Sequence, residues 1–196
     1  YADYVGETVT PYQYRVTAVN LAYTESATSN TTSVVMSTTA PTDDDLLTMV
    51  QEAHFRYYWE HAHPVAGLAL ECVPGYDYTV ALGASGFGLM ALLVAAARGF
   101  ISREAAAAHM NKAVNFLANA DRFHGVWPHF LDGRTGKTIP LFGEHDNGGD
   151  LVETAFMAQS LLAARQFFDQ NTTTEAAIRA TTTRLWEEIE WDWYCP

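Results

Sequence analysis

The chain has 196 residues, with 23 Asp and Glu against 11 Lys and Arg, and a formal net charge of −12 at pH 7. This acidic balance argues against nucleic-acid binding, which needs clustered Lys and Arg to neutralise phosphates. Every uncharged apolar stretch is shorter than the ~18 residues of a membrane-spanning helix, so no span is predicted. Two cysteines, Cys72 and Cys195, are too few for a disulfide framework, and whether they pair is left open.

Residues 1–39 are predicted to be β structure. Apolar and polar residues alternate over 12–18, the period of a half-buried strand, and a second strand is expected over 32–36. The first strand resembles the penultimate strand of a fibronectin type III sandwich, with Tyr12 at the tyrosine-corner position. The resemblance implies that this region is the C-terminal end of such a sandwich, joined by a linker at 40–43.

From residue 44 onwards the chain is predicted to be helical, and the charge of its helices alternates. The amphipathic first, third and fifth helices are separated by two nearly uncharged ones, which we expect to be buried on all sides. This alternation is typical of helical hairpins in a ring, with one helix of each pair inside. The predicted fold is mainly α, a partial (α/α)6 toroid over 44–196 after a short β-sandwich remnant. The five helices are expected over 44–62, 85–97, 102–122, 151–164 and 173–190.

Both uncharged helices begin at glycine-rich turns, 83–88 and 148–149. Antiparallel connectivity places their N-termini at the same end of the ring. Glycines permit close backbone approach. The partial positive charge of helix N-termini favours carboxylates and sugar hydroxyls.

The longest irregular segment, 123–149, lies between the third and fourth helices. Its centre predicts a hairpin, with flanks at 127–131 and 137–142. Long loops in compact helical domains are usually functional. Aromatic rings beside carboxylates suit a carbohydrate site, because sugar faces stack on rings while sugar hydroxyls need polar partners. Trp127 has two interpretations, a stacking residue or a hydrophobic anchor of the hairpin.

Asp150 and Glu153 lie three residues apart at the start of the fourth helix and share one face of its first turn. A structural interpretation makes them a capping box, with Asp150 as the N-cap. A catalytic interpretation is limited by geometry, because neighbours at i and i+3 face the same way and can hardly flank a glycosidic bond. One would then act as acid or base and the other as its neighbour, with a partner carboxylate from elsewhere.

No metal or cofactor is predicted. The histidines show no zinc-ligand spacing. Glu144, Asp146, Asn147 and Asp150 offer oxygen ligands for calcium, although not at the spacing of an EF-hand.

Three motifs carry a resemblance to a known family. They are Ser85-Gly-Phe-Gly-Leu-Met-Ala, Arg122-Phe-His-Gly-Val-Trp-Pro-His129 and Asp146-Asn-Gly-Gly-Asp-Leu-Val-Glu-Thr-Ala155. Together they resemble the bacterial glucoamylase-like family, which includes endo-β-1,2-glucanases of the glycoside hydrolase 144 type. The resemblance covers 44–196 and implies an (α/α)6 catalytic toroid. It also implies hydrolysis of a β-glucan oligo- or polysaccharide, with β-1,2-glucan the first candidate, inversion expected, and a secreted or periplasmic bacterial enzyme.

The acidic motif makes Asp150 and Glu153 the candidate catalytic residues. The candidate substrate-binding residues are Phe87, His124, Trp127, His129, Asp146 and Asn147. One alternative is a non-catalytic glycan-binding module whose stacking residues are Phe87, Trp127 and Phe130. Another is a helical interaction scaffold, since half a ring would leave an apolar face uncovered. Five helices against the family's twelve lead us to expect a sequence truncated at both ends and inactive alone; its oligomeric state is not predicted.

Overall fold

The computed structural model describes residues 12–20, 22–34 and 41–195. The chain divides into two compact units, Tyr1–Leu47 and Thr48–Pro196. Within the described residues, no helix combines the length and the apolar character needed to cross a membrane.

The first unit contains a two-stranded antiparallel sheet. Strand β1, Tyr12–Tyr14, pairs with β2, Thr32–Val34. After β1 the regular pairing of the two strands ends. There a serine hydroxyl takes the place of a backbone acceptor, and the Val16 N–H donates to Ser29 Oγ at 3.0 Å. Both strands lie within their predicted ranges, and β1 is shorter than the predicted strand over 12–18. The predicted continuation to residue 36 lies outside the described residues, and the fibronectin resemblance stays a prediction.

Helix α1, Asp43–Glu60, begins at a capping box. The Thr42 N–H donates to Asp45 Oδ2 at 2.9 Å, and the Asp45 N–H donates to Thr42 Oγ1 at 3.2 Å. This reciprocal arrangement satisfies two N–H groups that have no partner within the helix. The Thr-Asp-Asp-Asp start signal therefore places the helix within one residue of its prediction.

Within the described residues, four further α-helices follow close to their predicted places. The helix predicted over 85–97 begins three residues earlier, at Leu82, so the predicted glycine-rich turn 83–88 is helical. Ser102 caps the helix that begins at Arg103, because its side chain accepts from the Ala105 N–H at 3.1 Å. Thr172 caps the helix that begins at Thr173 in the same way, accepting from the Glu175 N–H at 3.2 Å. The helix that begins at Leu82 ends at Gly99, whose φ of 76° suits glycine. A short 3₁₀ helix closes the chain. The bounds are α2 Leu82–Arg98, α3 Arg103–Leu117, α4 Leu151–Phe167, α5 Thr173–Glu187 and the 3₁₀ helix Trp191–Tyr194.

Helix α3 ends five residues before its predicted end. The chain turns there because the Asp121 carboxylate accepts from Lys137 Nζ at 2.8 Å and from the Thr138 N–H at 3.0 Å. These bonds draw residues 118–122 towards the following loop. Helical periodicity in the sequence does not register this competing interaction.

Helix α2 packs against α4, while α3 and α5 pack on each other and on this pair. The approach of α2 to α4 depends on Gly86, because a Cβ there would lie 2.7 Å from the Phe156 carbonyl oxygen. The buried core between the helices includes Met110, Leu161 and Ile178. The two nearly uncharged helices are therefore neighbours.

The expectation that α2 and α4 are buried on all sides is wrong for this chain. Phe87 and Val94 on α2 are 55% and 44% exposed, and Val152 on α4 is 63% exposed. The described elements cover only one side of the pair, so the opposite apolar face meets solvent. This is the uncovered face that the sequence led us to expect.

The predicted hairpin is only partly correct. Strand β4, Phe130–Asp132, pairs antiparallel with β3, Thr79–Ala81, a strand that the sequence analysis missed. The predicted return strand contributes isolated bonds, with the Asp132 N–H donating to the Lys137 carbonyl at 2.7 Å. Three residues of β3 are too few for a period-2 pattern to stand out.

One ion pair ties three helix ends together. Arg103 Nε donates to Glu175 Oε1 at 2.8 Å, and Arg103 Nη2 donates to Glu175 Oε2 at 2.9 Å and to the Phe167 carbonyl at 2.7 Å. Glu175 is only 3% exposed. The hydrogen bonds from Arg103, and that from the Gln170 N–H, hold the pKa of Glu175 below its ordinary value against the opposing effect of burial. The carboxylate is therefore stabilised in its ionised form.

We expect Glu175→Gln to destabilise the protein by roughly 1–3 kcal/mol at pH 7, because charge-assisted hydrogen bonds are lost. A lowered pKa gives stability that is complete above the unfolded value and disappears as pH falls through the folded one. The gap between wild type and variant should therefore be constant above about pH 5 and shrink below the ordinary glutamate value of about 4.3. Urea denaturation across pH 3–7 measures this gap. Asp169→Asn, which alters a 76% exposed partner of Arg103, is the control and should change little. A gap that does not depend on pH would contradict the assignment.

We expect Gly86→Ala to lower the free energy of unfolding by about 1–3 kcal/mol, because the new methyl group forces α2 away from α4. The helix-propensity gain of up to about 1 kcal/mol should not offset this. Gly148→Ala is the matched control, since no heavy atom lies within 4 Å of its Cβ position. Equal urea midpoints for the two variants would contradict the close approach.

Candidate active site

Asp150 is the N-cap of α4, and one of its carboxylate oxygens is fully engaged there. Asp150 Oδ1 accepts from the Val152 N–H at 2.9 Å and from the Glu153 N–H at 3.0 Å. Its own N–H donates to the Trp127 carbonyl at 2.8 Å. The second oxygen, Oδ2, lies 3.3 Å from His129 Nδ1. The carboxylate is thus held by the helix start while one oxygen faces an imidazole.

Glu153 reaches across to the neighbouring helix. Its Oε2 accepts from the Gly83 N–H in the first turn of α2 at 2.6 Å, and lies 3.9 Å from His129 Nε2. A Cβ at Gly83 would lie 2.5 Å from that oxygen, so a larger residue there would displace the Glu153 carboxylate. The capping-box interpretation is therefore half correct, because Glu153 does not return to the Asp150 N–H, which is already bound to Trp127. The bond also confirms that the N-termini of α2 and α4 meet at one end.

His129 lies between the two carboxylates. Its ring stacks on Phe130 at 4.1 Å between centroids and meets the edge of Phe142 at 5.2 Å. The side chains of Asp150, Glu153 and His129 are 30%, 17% and 27% exposed. Three groups that can bind hydroxyls or carry a proton are thus close together and half-buried, with access to solvent.

An exposed aromatic pair continues from these carboxylates along both helices. Phe87 and Phe156 have ring centroids 5.0 Å apart and are 55% and 38% exposed. Phe87 follows Gly83 by four residues and Phe156 follows Glu153 by three, so each shares a helix face with its predecessor. Polar groups that suit sugar hydroxyls therefore adjoin apolar rings that suit a sugar face.

Trp127 is not available for stacking in the structure. Its side chain is completely buried, and its indole N–H donates to the Leu117 carbonyl at 3.1 Å. The anchoring interpretation of Trp127 fits this placement. Its backbone, rather than its ring, serves the site by holding Asp150.

The remaining candidates lie on neighbouring loops. His124 Nδ1 is 2.8 Å from Glu190 Oε2, and its ring stacks on Trp193. Asp146 closes a loop by accepting from the Phe142 N–H at 3.2 Å, and Asn147 is exposed. Among the contacts of the described residues, none joins these side chains to Asp150 or Glu153.

The sequence analysis missed Thr154, which is completely buried in α4. Its hydroxyl accepts from the Trp127 N–H at 3.1 Å and lies 3.3 Å from the Trp127 carbonyl, to which it donates. Thr154 and Asp150 therefore bind the same backbone segment. The signal in the sequence was a polar residue, Thr154, one helical turn after the N-cap Asp150. The sequence did not predict that Thr154 binds the Trp127 backbone. In the described part of the chain, no group of three or more His, Cys, Asp or Glu is arranged to hold a metal ion.

Comparisons with known proteins agree with this picture. No family model matches the chain. An exo β-1,2-glucooligosaccharide sophorohydrolase (non-reducing end) of Parabacteroides distasonis is 52% identical over 195 residues, which cover 99% of this chain and 27% of that protein.

Two solved structures are also similar. The crystal structure of a β-1,2-glucanase from Parabacteroides distasonis is 51% identical with a TM-score of 0.88, covering 98% of this chain and 27% of that one. An endo-β-1,2-glucanase from Chitinophaga pinensis, in complex with sophorotriose and glucose, is 48% identical with a TM-score of 0.74, covering 79% and 38%.

The chain thus spans between 27% and 38% of the length of these relatives. Their identity of about one residue in two extends over most or all of the chain. The chain is therefore similar to β-1,2-glucan-hydrolysing proteins over most or all of its length, and the resemblance carried by its three motifs is confirmed.

Proposed function

We propose that this protein is a glycoside hydrolase that cleaves β-1,2-linked glucan, with Asp150 and Glu153 in its site. The observation that carries the proposal is the 52% identity, over 99% of the chain, to a relative named for β-1,2-glucooligosaccharides. The geometry supports it, because two half-buried carboxylates meet an imidazole beside exposed aromatic rings.

The two carboxylates have different surroundings, and this suggests different roles. Glu153 is fixed by the Gly83 N–H, so we assign it to orienting and sugar binding. Asp150 keeps one oxygen towards His129 and the solvent, so we assign it the acid or base role. Glycoside hydrolysis needs one group to protonate the leaving oxygen and another to activate water from the opposite side. Since both carboxylates start the same helix, the opposing group is assigned to another element.

The wider architecture is proposed on the same basis. The packing of α2 on α4, with α3 and α5 against this pair, supports inner and outer helix positions in an (α/α)6 toroid. We propose that residues 44–196 contribute to such a toroid and that residues 1–39 belong to a fibronectin-like module ahead of it. A β-glucan substrate and an acidic chain suit a secreted or periplasmic bacterial enzyme.

A non-catalytic glycan-binding module is the second candidate. The observation that favours it is that both carboxylates already have structural partners, Asp150 at the cap of α4 and Glu153 at Gly83. Phe87 and Phe156 would then supply the stacking surface without turnover.

We expect Asp150→Asn to lower kcat/KM on β-1,2-glucan by about 10²–10⁴-fold in the full-length protein, because an amide cannot exchange the proton. Glu153→Gln should also reduce turnover. Binding of β-1,2-glucooligosaccharide, measured by calorimetry, should remain in both variants. Glu144→Gln, which changes an 88% exposed acid of the same loop, is the control and should behave as wild type. Oligosaccharide binding without turnover in any form, wild type included, would instead support the binding module.

We expect Phe87→Ala to raise KM about tenfold while kcat stays within about twofold, because a stacking ring contributes to substrate binding more than to the chemical step. Initial rates over a range of glucan concentrations separate the two constants. Val94→Ala is the matched control, since Val94 is 44% exposed two turns further along α2. Equal KM values for the two variants would remove Phe87 from the site.

A further inference from the structure

A concave surface adjoins the turn before Trp127, whose carbonyl binds the Asp150 N–H. It is an open groove of about 720 Å³ between residues 122–125 and the end of α5. Its lining is strongly polar and includes Arg122, His124, Glu188 and Glu190. We call it the Arg122 groove.

Arg122 is one of the residues that line this groove, and it is held in place on two sides. Its Nη2 donates to Glu188 Oε2 at 2.8 Å, and its guanidinium carbon lies 5.5 Å from the centre of the Trp127 ring. Its Nη1 is buried, so a ligand in the groove does not reach that atom. Arg122 therefore serves the groove by fixing the Glu188 carboxylate.

An exposed aromatic cluster adjoins the groove. Phe123 and Trp193 are 48% and 49% exposed, with ring centroids 5.0 Å apart at an interplanar angle of 89°. His124, which lines the groove, stacks on Trp193 at 4.0 Å and 11°. We call Phe123 and Trp193 the aromatic platform.

His124 is held in an unusual backbone conformation at this place. Its φ is 48°, in the left-handed region that side chains other than glycine rarely adopt. Glu190 maintains it twice, because its N–H donates to the His124 carbonyl at 3.1 Å and its carboxylate lies 2.8 Å from His124 Nδ1. Strain that the surroundings maintain at a concave surface points to a function.

The platform is connected to the candidate active site through Tyr194. The Tyr194 hydroxyl donates to the Phe123 carbonyl at 2.5 Å. A Cβ on Gly149, the residue before Asp150, would lie 2.7 Å from that hydroxyl. The turn, the platform and the start of α4 are therefore neighbours in one contiguous structure.

We propose that the Arg122 groove and the aromatic platform form an additional glucan-binding site, which takes glucosyl units of the same chain further from Asp150. A sugar face stacks on the platform, and its hydroxyls donate to the carboxylates of Glu188 and Glu190. Glu187, Glu188 and Glu190 line the groove against Arg122, and this excess of negative charge favours a neutral sugar over an anion. The inference rests on the proposed function for the identity of the sugar.

The test uses the full-length protein and β-1,2-glucooligosaccharides of increasing length. Trp193→Ala and Phe123→Ala should each weaken binding of the longest oligosaccharides about tenfold, and leave the shortest bound oligosaccharide within about twofold of wild type. Trp193→Phe keeps a ring and should restore most of the affinity, which separates stacking from a loss of folding. Tyr76→Ala removes an aromatic side chain that is 50% exposed elsewhere and is the matched control.

Calorimetric binding and hydrolysis are measured separately, so the two proposals fail separately. Length-dependent weakening in the platform variants supports the site, even if wild type hydrolyses nothing and the proposed function is wrong. Equal affinities in wild type and platform variants overturn the site, even if wild type hydrolyses β-1,2-glucan. An absence of oligosaccharide binding in wild type overturns it as well.

Discussion

The contact between the first turns of α2 and α4 is the constraint on which the second unit depends. Gly83 and Gly86 bring the two helices together, and the Gly83 N–H binds the Glu153 carboxylate at 2.6 Å. Two helix N-termini side by side concentrate partial positive charge, and the carboxylates of Asp150 and Glu153 offset it. The acidic groups therefore stabilise the contact between the two helices and are exposed to solvent at the same place.

This double role explains why the site is rigid. The Asp150 backbone is bound to the Trp127 carbonyl, and the Trp127 N–H is bound to Thr154 in the same helix turn. The free oxygen of Asp150 thus keeps one direction, towards His129, without depending on a flexible loop. Side chains held in this way lose little conformational freedom when a ligand binds.

Local patterns in the sequence were enough to predict the helices. The start signal at Thr42 and the glycine pair before α4 located those helix starts within one residue, whereas the glycine-rich segment 83–88, predicted as a turn, lies inside α2. Contacts between distant segments were not predictable from such patterns. The Gly83–Glu153 bond joins residues 70 positions apart, and β3 pairs with a strand about 50 residues later.

Composition alone was also insufficient to predict burial. The nearly uncharged sequences of α2 and α4 predicted burial on every side, yet Phe87 and Val152 are exposed. Apolar composition does not indicate which elements cover a helix. Trp127 had two open interpretations, and only its bond to the Leu117 carbonyl separates anchor from stacking residue. The motif placed the acidic residues correctly at the helix start, but their partners came from the tertiary structure.

The Trp127 carbonyl has a further consequence for local stability. It accepts from both Asp150 and Thr154, while the turn before it is held from the other side by Tyr194. The amide groups of this turn and of the first turn of α4 should therefore open to solvent together rather than one by one. Segments that are more than sixty residues apart in sequence then form one cooperative unit around the acid. Substitution of Tyr194 should therefore loosen the start of α4 as well as its own turn.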